Sequence, residues 1–309
     1  MPLLNANGIK IAYETAGDRK CPALLLVMGL GMQLVDWPDD LVSGLVEQGF
    51  YVIRFDNRDS GLSTKFTRAG TPSLPLAYVK SLLHLPVRSP YTLDDMALDS
   101  LGVLNALGIS RAHLVGVSMG GMIAQILAAK YPKRVLSLAS IMSSSGRRGL
   151  PGPSRAARAA LMSRPPKPGD IDSVIAHVAS VWRLIGSSSY PTPDLHLRRR
   201  VAASLERNVC PAGVARQIVA ITASGDRSKL RDNISAPTLV IHGAADPLIP
   251  PACGVDTARC ITHARLEIIQ GMGHDLPAQL IERLLALIDA NARGKMLPDM
   301  TPQLFEKHR

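Results

Sequence analysis

The sequence predicts an α/β fold, a mostly parallel sheet covered by helices on both faces. Short apolar, β-branched runs alternate along the chain with longer stretches of helical periodicity. Most of those runs are largely apolar, as strands buried on both faces require. A chain of 309 residues, 46% hydrophobic and 19% charged with slightly positive mean hydropathy, also builds a large core and is too apolar to be disordered.

Gly8 to Thr15, with Ile9, Ile11 and Tyr13 in alternation, reads as an antiparallel start. The runs at 23–28, 51–55, 112–117, 135–141, 237–241 and 264–269 read as buried strands, and 36–48, 92–107, 119–130 and 276–290 as helices. Thr92, with Asp95 three residues on, is the expected N-cap of the second helix. Between Lys65 and Pro90 an apolar piece, Leu74 to Leu85, reads either as a short helix over the site or as ordinary loop packing. From Ser143 to Asp232 the alternation stops. That segment opens rich in Gly, Pro, Ser and Arg up to Pro168, then continues with amphipathic stretches at 170–185 and 193–208. It reads as a helical insertion. The expected organisation is a sheet domain of residues 1–142 and 233–294, an insertion at 143–232, and a polar tail at 295–309 that frays.

Several function classes drop out. The net charge of +10 is concentrated in the insertion, where 15 Lys and Arg face 6 Asp and Glu. No aromatics interleave with these charges and no nucleic-acid motif accompanies them, so the expectation is a solvated basic face with no nucleic-acid partner. No apolar run reaches the length that spans a bilayer, and the first residues lack a signal-peptide pattern. The expected location is cytoplasmic, with no integral membrane segment. Cys21, Cys210, Cys253 and Cys260 are scattered outside any metal-ligand spacing, so reduced structural thiols and neither metal nor cofactor are expected. Oligomeric state is unspecified, which leaves a homodimer open.

The chemistry is concentrated around one serine. The run at 112–117 leads into Gly116-Val117-Ser118-Met119-Gly120 and directly into a helical stretch, a G-x-S-x-G in the strand, turn and helix context the motif needs. A serine on so sharp a turn needs small neighbours two residues to either side. Its hydroxyl is a poor nucleophile without a base to take its proton and an acid to orient that base. Asp246, in the loop after the 237–241 strand, is the expected acid, because the loop after 135–141 carries only Ser143, Ser144, Ser145 and Gly146. Three histidines follow Asp246. His263 precedes its strand and His308 lies in the tail, so His274, in Gly271-Met272-Gly273-His274-Asp275, is the expected base. His242 reads as a packed structural histidine, and Asp275 as the cap of a helix starting at Leu276. Stabilising an oxyanion takes two donors. The amides of Met119 and Leu30 are the expected pair, with Gly29 and Gly31 letting the backbone approach the substrate.

Across most of its length the chain resembles α/β-hydrolases of the serine esterase type. Leu25 to Gly31 with Asp36-Trp37-Pro38, and Val52 to Ser63, resemble the bacterial aclacinomycin methylesterase and mycobacterial lipase-like branch, in which Met-Gly replaces the usual His-Gly, as at Met28-Gly29. The stretch Asp56 to Ser63 matches the family's D-x-R-G-x-G-x-S pattern, except that Asp59 stands where many relatives have glycine. It is read as a structural turn held by Asp56 and Arg58. The resemblance implies an eight-stranded sheet with a helical lid after the sixth strand. It also implies a carboxylesterase or lipase-like enzyme, acting on a small-molecule or lipid-like ester through an acyl-enzyme. The lid's basic character would favour acidic or amphiphilic esters, or anionic lipid surfaces. A thioesterase, a perhydrolase, a C–C bond hydrolase and a low-turnover ligand receptor remain alternatives, since one fold hosts many chemistries.

Overall fold

A computed structural model describes residues 1–167 and 169–296, so the expected fraying of the tail falls almost wholly outside the described residues. Strands β1 (Leu3–Ala6) and β2 (Ile9–Ala16) form a hairpin over Asn7-Gly8, both at positive φ, the turn that Asn-Gly favours. The four-residue β1 is an addition to the strands expected. After it come β3 (Ala23–Val27), β4 (Tyr51–Phe55), β5 (Ala112–Val117), β6 (Val135–Ile141), β7 (Thr238–Gly243) and β8 (Ala264–Ile269). They assemble in the order β1-β2-β4-β3-β5-β6-β7-β8, antiparallel in the pairs β1/β2 and β2/β4 and parallel in the other five.

Because side chains alternate across a strand, each apolar run feeds two cores. Leu25, Val27, Ile53, Leu114 and Leu138 pack under helices α3 (Leu93–Ala106) and α4 (Met119–Lys130). Leu24, Leu26, Val52, Val115, Ile141 and Leu239 face α1 (Asp39–Glu47) and α10 (Ile281–Ala292). The cap of α3 is as expected: Thr92 Oγ1 accepts from Asp95 N, and Asp95 accepts from Thr92 N, a reciprocal capping box. The apolar piece after Lys65 is a helix, α2 (Leu74–Leu82).

Among the described residues, four α-helices lie between β6 and β7: α5 (Arg155–Met162), α6 (Ile171–Ile185), α7 (Asp194–Arg207) and α8 (Pro211–Ser224). Two of these, α6 and α7, match the stretches read from the sequence. In α5, Ser154 caps the first turn inside the supposedly irregular opening, and α8 starts with Pro211 at its first position. Most basic side chains of the segment are exposed, as expected of a solvated face, whereas Arg216 and Arg227 are buried and Arg207 pairs with the buried Asp56 at 2.7 Å. Helix α9 (Pro251–Arg259) completes the fold between β7 and β8. No helix among the described residues is long and apolar enough to cross a membrane.

His113 makes the core pH-sensitive. Its Nδ1 lies 2.8 Å from Ser137 Oγ, its ring meets Phe50 edge-on, and burial, then Arg293 and Arg111, push it down from 6.5 to about 4. The unfolded chain therefore binds a proton that the folded chain refuses between those values, and stability falls as pH drops through that window. Between pH 7.5 and 5, His113→Gln is expected to lose about 2 kcal/mol less stability than the parent chain. Urea unfolding at the two pH values measures this, and equal losses would remove His113 from the account.

Candidate active site

Ser118 sits between β5 and α4 at φ 54°, ψ −120°, a left-handed conformation for a residue with a side chain. The turn closes only because its neighbours are small. A Cβ on Gly116 would collide with the Gly120 carbonyl, and one on Gly120 with the carbonyl of Val27 in the adjacent strand. Ser118 N donates to Ile141 O at 2.9 Å, and Ser143 Oγ donates to Ser118 O at 2.8 Å. The loop after β6, which carries no carboxylate, thus supplies a hydroxyl that holds the elbow.

The side chain of Ser118 is half-buried, with Oγ 3.1 Å from His274 Nε2. On the far side of the ring, His274 Nδ1 lies 2.7 Å from Asp246 Oδ2. The other oxygen of Asp246 accepts from Leu248 N and Ile249 N, both at 2.9 Å. Burial raises the Asp246 pKa. Hydrogen bonds from His242 and His274, with the charge of His274 and the Ile249 amide, outweigh it and hold the carboxyl at about 2. His242 is packed within β7, as expected, but it also touches the acid: its Nε2 is 2.7 Å from Ile249 O and 3.5 Å from Asp246 Oδ2. His263 is exposed before β8, and His308 lies outside the described residues.

Asp275 corrects an expectation. The helix begins at Ile281, after a single 3₁₀ turn at Ala278–Leu280, and Asp275 caps neither. Its carboxylate accepts instead from Ser187 N and Oγ, at 3.0 and 2.5 Å, while Gly273 N donates to Ser187 Oγ at 2.8 Å. His274 N donates to Ile185 O, also at 2.8 Å. The end of α6 therefore clasps the loop that carries the histidine.

The Gly29–Gly31 loop lies against the elbow, and a Cβ on Gly29 would stand 3.3 Å from Ser118 Cβ. Gly31 takes φ 69°, open to glycine at little cost. Its amide donates to Gln217 Oε1 at 2.8 Å, while Gln217 Nε2 donates to Arg58 O and to Ser60 Oγ. Gln217, fully buried on α8, thus spans from that loop to the turn after β4. Leu30 N donates to no acceptor in the hydrogen bonds among the described residues. Met119 opens α4, where first-turn amides have no intrahelical acceptor. The Asp56–Ser63 turn serves structure, as expected. Asp56 accepts from Leu34 N and Leu62 N, and Arg58 bonds both oxygens of Asp99 at 2.6 and 2.7 Å.

This arrangement can move a proton from a serine to a histidine beside two unengaged amides. The model of the alpha/beta hydrolase fold family matches residues 22–278. Among curated proteins, the chain is 29% identical to rhodomycin D methylesterase DauP of Streptomyces sp. (strain C5), covering 94% of this chain and 98% of that one. It is 26% identical to 3-oxoadipate enol-lactonase 2 of Acinetobacter baylyi, over 86% of this chain and 87% of the other. The solved enol-lactonase from Burkholderia xenovorans LB400 superposes with a TM-score of 0.67 at 25% identity, covering 95% of this chain and 97% of that structure.

Proposed function

The chain belongs to the alpha/beta hydrolase fold family and is a carboxylic ester hydrolase, and we propose that it works as a serine esterase through Ser118, His274 and Asp246. One observation carries this reading: the unbroken relay from Ser118 Oγ to His274 Nε2 at 3.1 Å and from His274 Nδ1 to Asp246 Oδ2 at 2.7 Å. In it, Nδ1–H donates to Asp246, which leaves Nε2 free to accept the serine proton as Oγ attacks the ester carbonyl. The Met119 and Leu30 amides donate to the oxyanion. His274 then gives its proton to the departing alcohol, and a water that loses a proton to the same nitrogen releases the acid. Gly29 and Gly31 line the approach of the acyl group.

The helices of residues 143–232 act as the lid. Their contacts with the histidine loop through Ile185 and Ser187, and with the Gly29–Gly31 loop through Gln217, support this. The likeness to a methylesterase favours a small-molecule ester with a small alcohol. The test is hydrolysis of methyl esters and of p-nitrophenyl esters from acetate to palmitate, with a fluorophosphonate adduct mapped by mass. The expected result is turnover of short esters and an adduct on Ser118. Folded protein that neither turns over nor becomes labelled would overturn the reading in favour of a receptor, and faster cleavage of matched thioesters would favour a thioesterase.

Gln217 fixes the loop that carries the second donor. With Gln217→Met, kcat is expected to fall about tenfold while KM stays nearly constant, because a displaced amide weakens only the transition state. Steady-state kinetics on the best ester decide it, and a rise in KM alone would place Gln217 in substrate binding instead.

A further inference from the structure

Helix α2 and the turn after it display an apolar surface that the fold does not use. Leu76, Tyr78, Val79, Leu82, Leu83 and Leu85 are each between 49% and 67% exposed. Surface helices normally turn such side chains toward the core. Here the only buried residue of the helix is Ala77, and α2 packs on α8. With 3.6 residues per turn, Leu76, Tyr78, Val79 and Leu82 lie on the arc opposite Ala77. The apolar face therefore points away from the molecule. Contiguous exposed apolar patches of this kind mark interaction sites.

The charge around the patch narrows the partner. Residues 65–90 contain Lys65, Arg68, Lys80 and Arg88 and not one Asp or Glu. Lys65 is turned inward, its Nζ donating to Ser60 O at 3.0 Å, while Arg68 and Arg88 are exposed and Lys80 is partly so. A second copy seated on the same face about a two-fold axis would bring these cations against their own kind, with no carboxylate in the segment to pair them. An anionic lipid surface meets both features, since acyl chains accept the leucines and phosphate headgroups the cations.

We propose that α2, with Leu83 and Leu85 beyond it, docks the protein onto anionic phospholipid bilayers. The surface lies outside the basic insertion and outside the proton relay, so docking is separable from ester cleavage. It is measured on full-length Ser118→Ala protein by sedimentation with vesicles of phosphatidylcholine alone and of phosphatidylcholine with 30% phosphatidylglycerol. Expected is binding that favours the anionic vesicles and weakens with salt. Replacing Leu82 and Leu83 by serine should weaken it about tenfold or more, and Lys80→Glu with Arg88→Glu should abolish the preference for anionic lipid. These side chains are exposed, and circular dichroism with p-nitrophenyl acetate turnover in the Ser118 background checks that each variant folds. No binding to either vesicle, or equal binding by the parent and the leucine variant, overturns the proposal. So does a parent that sediments as a dimer in buffer and becomes a monomer on the leucine substitutions, which would make the patch a self-contact.

Discussion

Ser118→Ala is expected to lower kcat on the best ester by a factor on the order of a million while the protein stays folded. The stability side follows from what the side chain touches. Among the described residues its Oγ hydrogen-bonds with His274 Nε2 alone, whereas the elbow is held through the Ser118 backbone by Ile141 and Ser143. Alanine at φ 54° bears the same backbone strain as serine, so the unfolding midpoint should barely move. The activity side follows from the relay. Without Oγ there is no acyl-enzyme, and the oxyanion donors alone leave a small residual rate. Removing His274 as well should then cost little more, because the three residues act as a unit. Asp246→Asn should cost on the order of ten-thousandfold, since it misorients the ring. With Asp246 held at about 2, the loss should be equally large across the whole neutral and mildly acidic range. A Ser118→Ala variant retaining a few per cent of parental kcat, in protein free of parental contamination, would sink the assignment.

What was legible in the sequence is what the chain encodes locally or by order. The elbow could be read because Gly116 and Gly120 flank Ser118 within five residues of chain, and the steric demand they meet is local. Asp246 and His274 could be read because each lies just past the carboxyl end of a strand, β7 and β8, in the parallel part of the sheet. The residues that were missed act across long separations. Ser143 meets the carbonyl of Ser118, Ser187 meets Asp275, and Gln217 meets Gly31 across 186 positions, and nothing local marks any of them. The helix misplaced at Leu276 failed for the same reason: a carboxylate next to a helical pattern looks like a cap, and only the fold reveals that Ser187 has taken it. Helix α8 was missed although its first-position Pro211 and terminal Gly225 are ordinary boundary signals.

The departure at Asp59 has a structural answer, and with it the largest stability effect expected of this protein. Its φ of 67° is the left-handed conformation glycine adopts at little cost, so an aspartate here must be compensated. Arg216 on α8 does so with two parallel bonds, Nε to Oδ2 at 2.8 Å and Nη2 to Oδ1 at 2.7 Å, while Tyr91 Oη donates to Oδ2 at 2.6 Å and Phe66 N to Oδ1 at 2.8 Å. Burial pushes the Asp59 carboxyl up, but these donors hold it below its ordinary value, so it stays ionised inside the protein. Removing the guanidinium strands a buried charge. Arg216→Met is therefore expected to cost about 3–5 kcal/mol, and Asp59→Gly alone a comparable amount, because the stranded cation is then Arg216. Made together, the two should recover most of that loss: no charge is left buried, and glycine relieves the backbone at position 59. The double-mutant cycle, followed by urea unfolding, measures the coupling directly. Additive losses would mean that α8 is anchored by its apolar contacts and by Gln217, with the ion pair a bystander. Strong coupling would identify the pair as the reason this chain keeps a charged residue where a glycine would fit.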